Sequence, residues 1–388
     1  MRTIVKPDAA QKLALLAELA ALDCDGEPAV TARQQARADV LARSVYFVQR
    51  PDGPMPVLRT MQTSACERDC LYCPFRAGRS GVARVRFTPD ELAHAFDLMQ
   101  RAGVVRGLLL SSGLINGGVS SMDPMLDTVE LLRKKYGYRG YVHLKLMPGA
   151  QAAQIEQAVR LADRVSINLE GTDARRLAYL APHKDFEGEL LAVMRQAQRA
   201  ARQLAEWAKP PSLVTQFVVG PAGESDRELL TTVYRLYRQM GLARAYYSGF
   251  SPVDGTPLAE APATPLVREH RLYQADWLLR FYGFSIEELP FEPGGGLPRH
   301  IDPKLAWARQ HLAERPVEVN RASRGELLRV PGIGPRSADA ILRARRQGRL
   351  NELADLRALG AVAERAAPFV LLNGRRPPQQ LSLWDNQA

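Results

Sequence analysis

The chain has 388 residues, of which 46% are hydrophobic and 24% charged, and its formal net charge is +10. Such a length holds two domains, or one large domain with an appendage, around a sizeable core. No apolar run reaches membrane-spanning length and no secretory signal is evident; the few cysteines point to a reducing cytoplasm. In chain order, Gln11–Leu22 is apolar but carries Lys12 and Glu18, and predicts an amphipathic helix within an N-terminal helical extension, residues 1–56. Residues 57–287 alternate strands and helices. The predicted strands are Val57–Thr63, Arg106–Ser112, Tyr141–Leu146, Arg164–Leu169, Leu213–Val219 and Arg244–Phe250. The predicted helices are Pro89–Arg101, Pro124–Tyr136, Ala150–Leu161, Asp185–Ala208 and Asp226–Met240. Thr88-Pro89-Asp90-Glu91 is a capping box with proline at the first helical position. Strict alternation implies parallel strands with crossover helices. Residues 288–316 are a Pro/Gly-rich connector, from Glu288 through Pro298 to about Pro303, and a short helix, Lys304–Ala313. Residues 317–374 form a small all-α segment, and residues 375–388 a flexible tail.

Cys66, Cys70 and Cys73 are spaced C-x3-C-x2-C. Three thiolates on a four-iron cluster leave one iron without a protein ligand, able to bind a substrate or cofactor. A structural zinc site takes four ligands, and neither Cys24 nor His94 stands at a finger-like spacing. An odd trio in one loop is also a poor disulfide framework.

This spacing resembles that of the radical S-adenosylmethionine (radical SAM) enzymes. The resemblance implies a [4Fe-4S] cluster on the three cysteines, S-adenosylmethionine on the open iron, an electron donor, and a 5'-deoxyadenosyl radical. It also implies a partial (βα)6 barrel over residues 57–287, with the chemistry where strands end in their C-terminal loops. The cysteines follow the first predicted strand and so fall at that place. By the same resemblance Tyr72, before the third cysteine, lies near the adenine. Ser111-Ser112-Gly113 occupies the turn that approaches the methionine amino group, though it departs from the commoner Gly-Gly-Glu form. Ser166, Asn168 and Glu170 share one parity on the fourth strand, where ribose contacts are expected. Gln216 shares the facing of Val218 and Gly220, which open a glycine-rich turn like the one the superfamily places after its fifth strand. His143 and Lys145 share a face of the third strand and can touch substrate, the cofactor carboxylate or protein carboxylates.

From Val317 to Arg376 there are twelve arginines against six acids, more than half of the chain's excess positive charge. A polyanionic partner is the expectation. Ser323-Arg-Gly-Glu326 is a second capping box, and Val330-Pro-Gly332-Ile333-Gly334-Pro335 follows it. The run resembles a helix-hairpin-helix. Bare backbone N–H groups at the start of the second helix can accept a phosphate oxygen. The nucleic-acid candidates are Gly332, Ile333, Gly334, Arg336, Ser337, Arg343 and Arg346. A weaker second hairpin is predicted at Leu356–Val362. Gln380-Leu-Ser-Leu-Trp384 resembles the peptides by which bacterial repair and replication proteins bind the sliding clamp.

From Thr63-Ser-Ala-Cys66 through Asn168-Leu-Glu170 and Asp302-Pro-Lys-Leu-Ala-Trp307 to the hairpin, the chain resembles the bacterial radical SAM proteins of DNA modification or repair that carry a helix-hairpin-helix. That resemblance implies a companion with a uracil-DNA-glycosylase-like domain and no established reaction. Three functions follow as expectations: radical chemistry on a nucleotide in DNA, the same chemistry on RNA, and a non-catalytic, metal-stabilised DNA-binding adaptor.

Overall fold

The computed structural model describes residues 7–20, 44–49, 53–79 and 81–378. Cys24 and the clamp-like peptide Gln380–Trp384 lie outside the described residues. Two compact units are formed, Met1–Glu224 with Arg235–Pro265, and Ser225–Tyr234 with Leu266–Ala388. Among the described residues no helix is long and apolar enough to cross a membrane.

In the first unit a helix, α1 (Ala9–Ala20), precedes a seven-stranded sheet whose strands lie in chain order. The strands are β1 (Val45–Val48), β2 (Met55–Met61), β3 (Gly107–Ser111), β4 (Tyr141–Lys145), β5 (Arg164–Ser166), β6 (Ser212–Val219) and β7 (Arg244–Gly249). β1 pairs antiparallel with β2, and every later pair is parallel. Register sets Arg59 beside Leu109, Leu109 beside His143 and His143 beside Arg164. Side chains of that parity face one side of the sheet. Tyr46 of β1, His143 of β4 and Tyr246 of β7 line a single cavity, so the sheet curls into a half-barrel. The other parity, including Leu58, Leu108, Leu110 and Leu144, is fully buried. The fold is α/β, a partial barrel of six parallel strands with the antiparallel β1 at one edge.

Helix α2 spans Pro89–Arg101, the predicted bounds, because its cap is local. The Thr88 hydroxyl accepts from Glu91 N–H at 3.2 Å, and the Glu91 carboxylate accepts from Thr88 N–H at 2.9 Å. Helix α3 spans Gly117–Lys134 and corrects the predicted Pro124 start; Pro124 lies inside it. Its N-terminal amides are met from a distance. Glu67 in the cysteine loop accepts from Asn116 N–H at 2.8 Å and from Gly117 N–H at 3.0 Å. A carboxylate there complements the helix dipole and satisfies orphan donors. Helix α4 spans Ala152–Leu161. A helix not predicted, α5, spans Ala174–Leu180, and the predicted single helix Asp185–Ala208 is corrected to two pieces of structure: a π-helical turn (Phe186–Leu191) and α6 (Ala192–Leu204). Helix α7 (Asp226–Met240) contributes to both units.

In the second unit, α8 (Leu266–Phe281) and α9 (Pro303–His311) flank the Pro/Gly-rich run. That run is irregular but well packed. Leu289 and Leu297 are buried, Leu297 N–H donates to Asp226 at 2.8 Å, and the same carboxylate holds Arg268 at 2.7 Å. The arginine-rich segment folds as α10 (Arg324–Arg329), α11 (Pro335–Ala344), α12 (Leu353–Ala358) and α13 (Ala363–Ala366). Two-residue strands, Val317–Glu318 and Val370–Leu371, pair in parallel and bring its ends together. Val319, Leu327, Val330, Ile341, Leu356 and Val370 form its core.

At α10 the Ser323 hydroxyl accepts from Glu326 N–H at 3.3 Å while the Glu326 carboxylate accepts from Ser323 N–H at 2.7 Å. The Ser323 hydroxyl, donating to the same carboxylate at 2.7 Å, and then the Ser323 N–H hold the Glu326 carboxyl below its usual range. Replacing Ser323 with Ala is expected to cost about 1 kcal/mol. Urea denaturation at neutral pH reads this directly, and no change in midpoint would rule the cap out as a stabilising element.

Candidate metal centre and nucleic-acid interface

Chain leaving β2 runs directly into the cysteine loop. Thr63 and Ser64 lie against residues 83–86, with Ser64 N–H donating to Val85 O at 2.9 Å. The Arg84 guanidinium donates to the Ser64 and Phe75 carbonyls, both at 2.8 Å, and to Arg76 O at 2.9 Å. One cation thus holds both ends of the loop, a role no spacing in the sequence announces. On the far side, Leu71 N–H donates to Leu180 O at 2.8 Å, and His183 Nδ1 lies 2.6 Å from Asp69 Oδ2. The Arg68 guanidinium donates to His183 O and to the Glu189 carboxylate.

Cys66, Cys70 and Cys73 are in no disulfide, and their side chains line one cavity. Among the described residues no three His, Cys, Asp or Glu side chains converge on one ion. Thiols set around a cavity suit a polynuclear cluster, whereas a single zinc gathers its sulfurs at about 2.3 Å. Backbone amides already point at the sulfurs. Cys66 Sγ accepts from Arg68 and Leu114 N–H, and Cys73 Sγ from Phe75 N–H, each at 3.4 Å. Burial pushes the Cys70 thiol up, and the nearby Lys184 ammonium pulls it the other way.

The same cavity takes in Tyr72, Ser111, Ser112, Gly113, Asn168, Glu170 and Gln216. Ser166 lies deeper, with Oγ 2.8 Å from His143 Nε2, in a second cavity that shares Lys145, Asn168 and Gln216 with the first. Gly220 lines neither; its N–H donates to Glu224 at 2.6 Å and closes the turn after β6. Gly113 is pressed against the loop itself, since a Cβ there would stand 2.1 Å from Ala65 O. Glu170 adopts φ 62°, an uncommon conformation for a non-glycine residue. Its Oε1 pairs with Lys184 Nζ at 3.1 Å, and its buried Oε2 has no hydrogen-bond partner among the described residues. Burial, then the Glu170 charge, pushes the Tyr72 hydroxyl well above its ordinary pKa. Lys184, Arg68, Glu67 and Arg84 went unseen in the sequence. Their partners stand 14 to 121 residues away for Lys184 and Arg68, too far for any local pattern.

In the second unit, Gly332 has φ 84°, and a Cβ on it would meet Val362 O at 2.3 Å. Val362 N–H donates to Gly332 O at 2.9 Å, and the Ser337 hydroxyl donates to Gly360 O at 2.7 Å. The weaker hairpin, around Gly360, therefore packs back to back with the first. Ile333 is buried, and its carbonyl accepts from Lys304 Nζ at 2.6 Å. Helix α11 begins with Pro335, and the amides of Gly334 and Arg336 have no acceptor among the described residues. Arg336 is exposed beside them, and Arg343 and Arg346 are exposed at the other end of α11 and just beyond it, whereas Arg345 is spent on the Val319 and Ala322 carbonyls. Unpaired amides at a helix N-terminus are able to accept an anion.

A half-barrel with three thiols in the loop after its first parallel strand defines a class, and family comparison agrees with it. Residues 61–236 match the radical SAM superfamily and form a radical SAM domain; residues 313–370 match a helix-hairpin-helix motif. Radical SAM domains use a [4Fe-4S] cluster and S-adenosylmethionine. The thiols with their aimed amides, and the orphaned Glu170 oxygen, fit those groups. Among solved structures the chain is similar to the [FeFe]-hydrogenase maturase HydG, at 14% identity over 57% of this chain and 49% of that one, with a TM-score of 0.46. HydG from Carboxydothermus hydrogenoformans gives 15%, 58%, 50% and 0.45. Methylornithine synthase (PylB) gives 15%, 57%, 61% and 0.46. The chain thus spans about half the length of the HydG proteins it resembles. Comparison with curated protein sequences finds no match.

Proposed function

We propose that this protein is a radical SAM enzyme acting on a nucleotide of DNA. The observation that carries the reading is one chain bearing both a three-thiol cavity in a radical SAM domain and an arginine-flanked helix-hairpin-helix. Cys66, Cys70 and Cys73 would hold the cluster. Tyr72, Ser111, Ser112, Gly113, Asn168, Glu170 and Gln216 would face S-adenosylmethionine, with Ser166 and Gly220 acting at one remove. When bound, these cofactors supply a 5'-deoxyadenosyl radical that abstracts hydrogen from carbon. The Glu170 carboxylate, carrying an unused buried lone pair, accepts a hydroxyl or ammonium hydrogen.

On the second unit, the Gly334 and Arg336 amides and the Arg336, Arg343 and Arg346 side chains take phosphates. Gly332, Ile333 and Ser337 shape that surface from behind. Contacts of this kind position the backbone and carry little sequence information. A target base reaches a barrel-mouth radical only when extruded or single-stranded. The companion with a uracil-DNA-glycosylase-like domain, and a sliding clamp held through Gln380–Trp384, belong to this same reading. An electron donor completes the set of partners.

Anaerobically reconstituted protein with dithionite and pooled DNA is expected to release 5'-deoxyadenosine and to change the mass of a nucleoside in the digest. The release without any nucleoside change, or the change in RNA alone, overturns DNA as substrate. A gel-shift comparison of DNA and RNA at one salt concentration gives the binding side of the same question.

A further inference from the structure

We propose that Lys184 is a positioning charge for the cluster: its ammonium, held beside the thiol trio, keeps the bound cluster easier to reduce than the cavity would without it. This rests on the cofactor part of the reading above and is independent of the DNA substrate.

Placement comes first. Lys184 and Glu170 line the cavity that holds all three cysteines, and their side chains are only 10% and 5% exposed. The segment bearing Lys184 is fastened to the cysteine loop on both sides of the lysine. Leu180 accepts from Leu71, His183 meets Asp69, and Arg68 binds both His183 O and Glu189. The π-helical turn follows at once, with Asp185 capping it by accepting from Glu187 N–H at 3.0 Å and Gly188 N–H at 3.1 Å. Single π turns are uncommon and recur at functional sites. Here the turn fixes the lysine that precedes it.

A buried ion pair is weak evidence for stability, because desolvation offsets its attraction. This pair also sits on a residue in the left-handed region and leaves Glu170 Oε2 unsatisfied. Its geometry therefore asks for another reason. Lys184 lies near enough to Cys70 for its charge to pull that thiol's pKa down against burial. The neighbouring Arg68 is neutralised by Glu189. Both members of the pair line the thiol cavity, so the lysine charge stands inside the space the sulfurs share. Reduction adds one negative charge to the cluster, and a fixed cation in a low-dielectric site favours the more negative state.

The test is an EPR-monitored potentiometric titration of anaerobically reconstituted full-length protein, without S-adenosylmethionine, with iron and sulfide assayed on each sample. Lys184→Gln is expected to shift the midpoint to more negative potential, Glu170→Gln to less negative potential, and Lys184→Arg to leave it near native. A structural role alone would lower iron content without opposite shifts. Unchanged midpoints, or shifts of one sign in both glutamine variants, overturn the proposal. If Lys184→Gln does not load, Glu170→Gln decides: a midpoint that stays put or moves negative overturns it. Wild-type protein without any iron–sulfur signal overturns this inference and the cofactor reading together. A cluster with these shifts but no DNA product overturns only the substrate.

Discussion

Gly113→Ala is expected to strip the protein of its cluster while leaving the second unit folded. A methyl group at this position would stand 2.1 Å from Ala65 O, 2.8 Å from Ala65 C and 3.1 Å from Cys66 Cβ. Two of these are backbone atoms of the cysteine loop, so no rotamer change relieves the contact. Gly113 N–H also donates to Thr63 O at 2.7 Å, which prevents its own backbone from backing away. The loop must move, and with it the Cys66 sulfur and the amides of Arg68 and Leu114 that point at it. Overpacking of this kind costs about 1–3 kcal/mol, and a displacement of about 1 Å at a reacting centre costs about 10²-fold in rate. Iron and sulfide per chain should fall below half the native value. 5'-Deoxyadenosine release should fall about 10²-fold, with DNA binding kept. A variant with native iron and native cofactor cleavage would refute the close approach.

The same glycine shows how far the sequence could be read. Its place after the second predicted strand was legible from strand order. What approaches it was not legible, because Ala65 lies 48 residues earlier. The other outcomes divide the same way. Helix α2 and the Ser323 cap were found to the residue because a capping box is written within four consecutive positions. Helix α3 starts seven residues before its predicted start because its cap, Glu67, comes from the cysteine loop. The six parallel strands follow from hydrophobic runs that alternate with helical stretches, whereas β1 is short and lies at an edge. In the site, the thiol trio came from local spacing; Ser166, Asn168 and Glu170 are expected on one face of a strand, but β5 ends at Ser166 and the other two lie beyond it. Lys184 and Arg84 did not, since a long side chain's partner is fixed only by tertiary packing. At the hairpin the sequence offers bare backbone N–H groups to a phosphate oxygen. For Gly332 the structure shows another demand, room for the carbonyl of Val362 in the paired hairpin.

Lys304→Met is expected to stabilise the second unit at pH 6 and to lose that advantage by about pH 10. Lys304 Nζ donates to Ile333 O at 2.6 Å and sits 4.5 Å from the centre of the Tyr282 ring. Burial pulls its pKa down to about 7; Asp302 works against this, while Arg365 and Arg329 add to it. In the unfolded chain a lysine titrates near 10.4. Between those two values the unfolded chain binds the extra proton, so stability rises with pH across that interval and the burial penalty is complete below about 7. The shift corresponds to an upper bound of about 5 kcal/mol, reduced by solvent because Lys304 is only partly buried. Methionine keeps the stem and removes the charge, but it leaves Ile333 O without its donor, at about 1–3 kcal/mol. The charge effect wins at low pH and the lost hydrogen bond wins at high pH, so the difference in urea midpoint between variant and wild type changes sign. Since Ile333 lies in the hairpin, DNA affinity of the variant should fall even at pH 6, where its fold is the more stable of the two. A midpoint difference of constant sign from pH 6 to pH 10 would show that Lys304 does not titrate in that range within the fold.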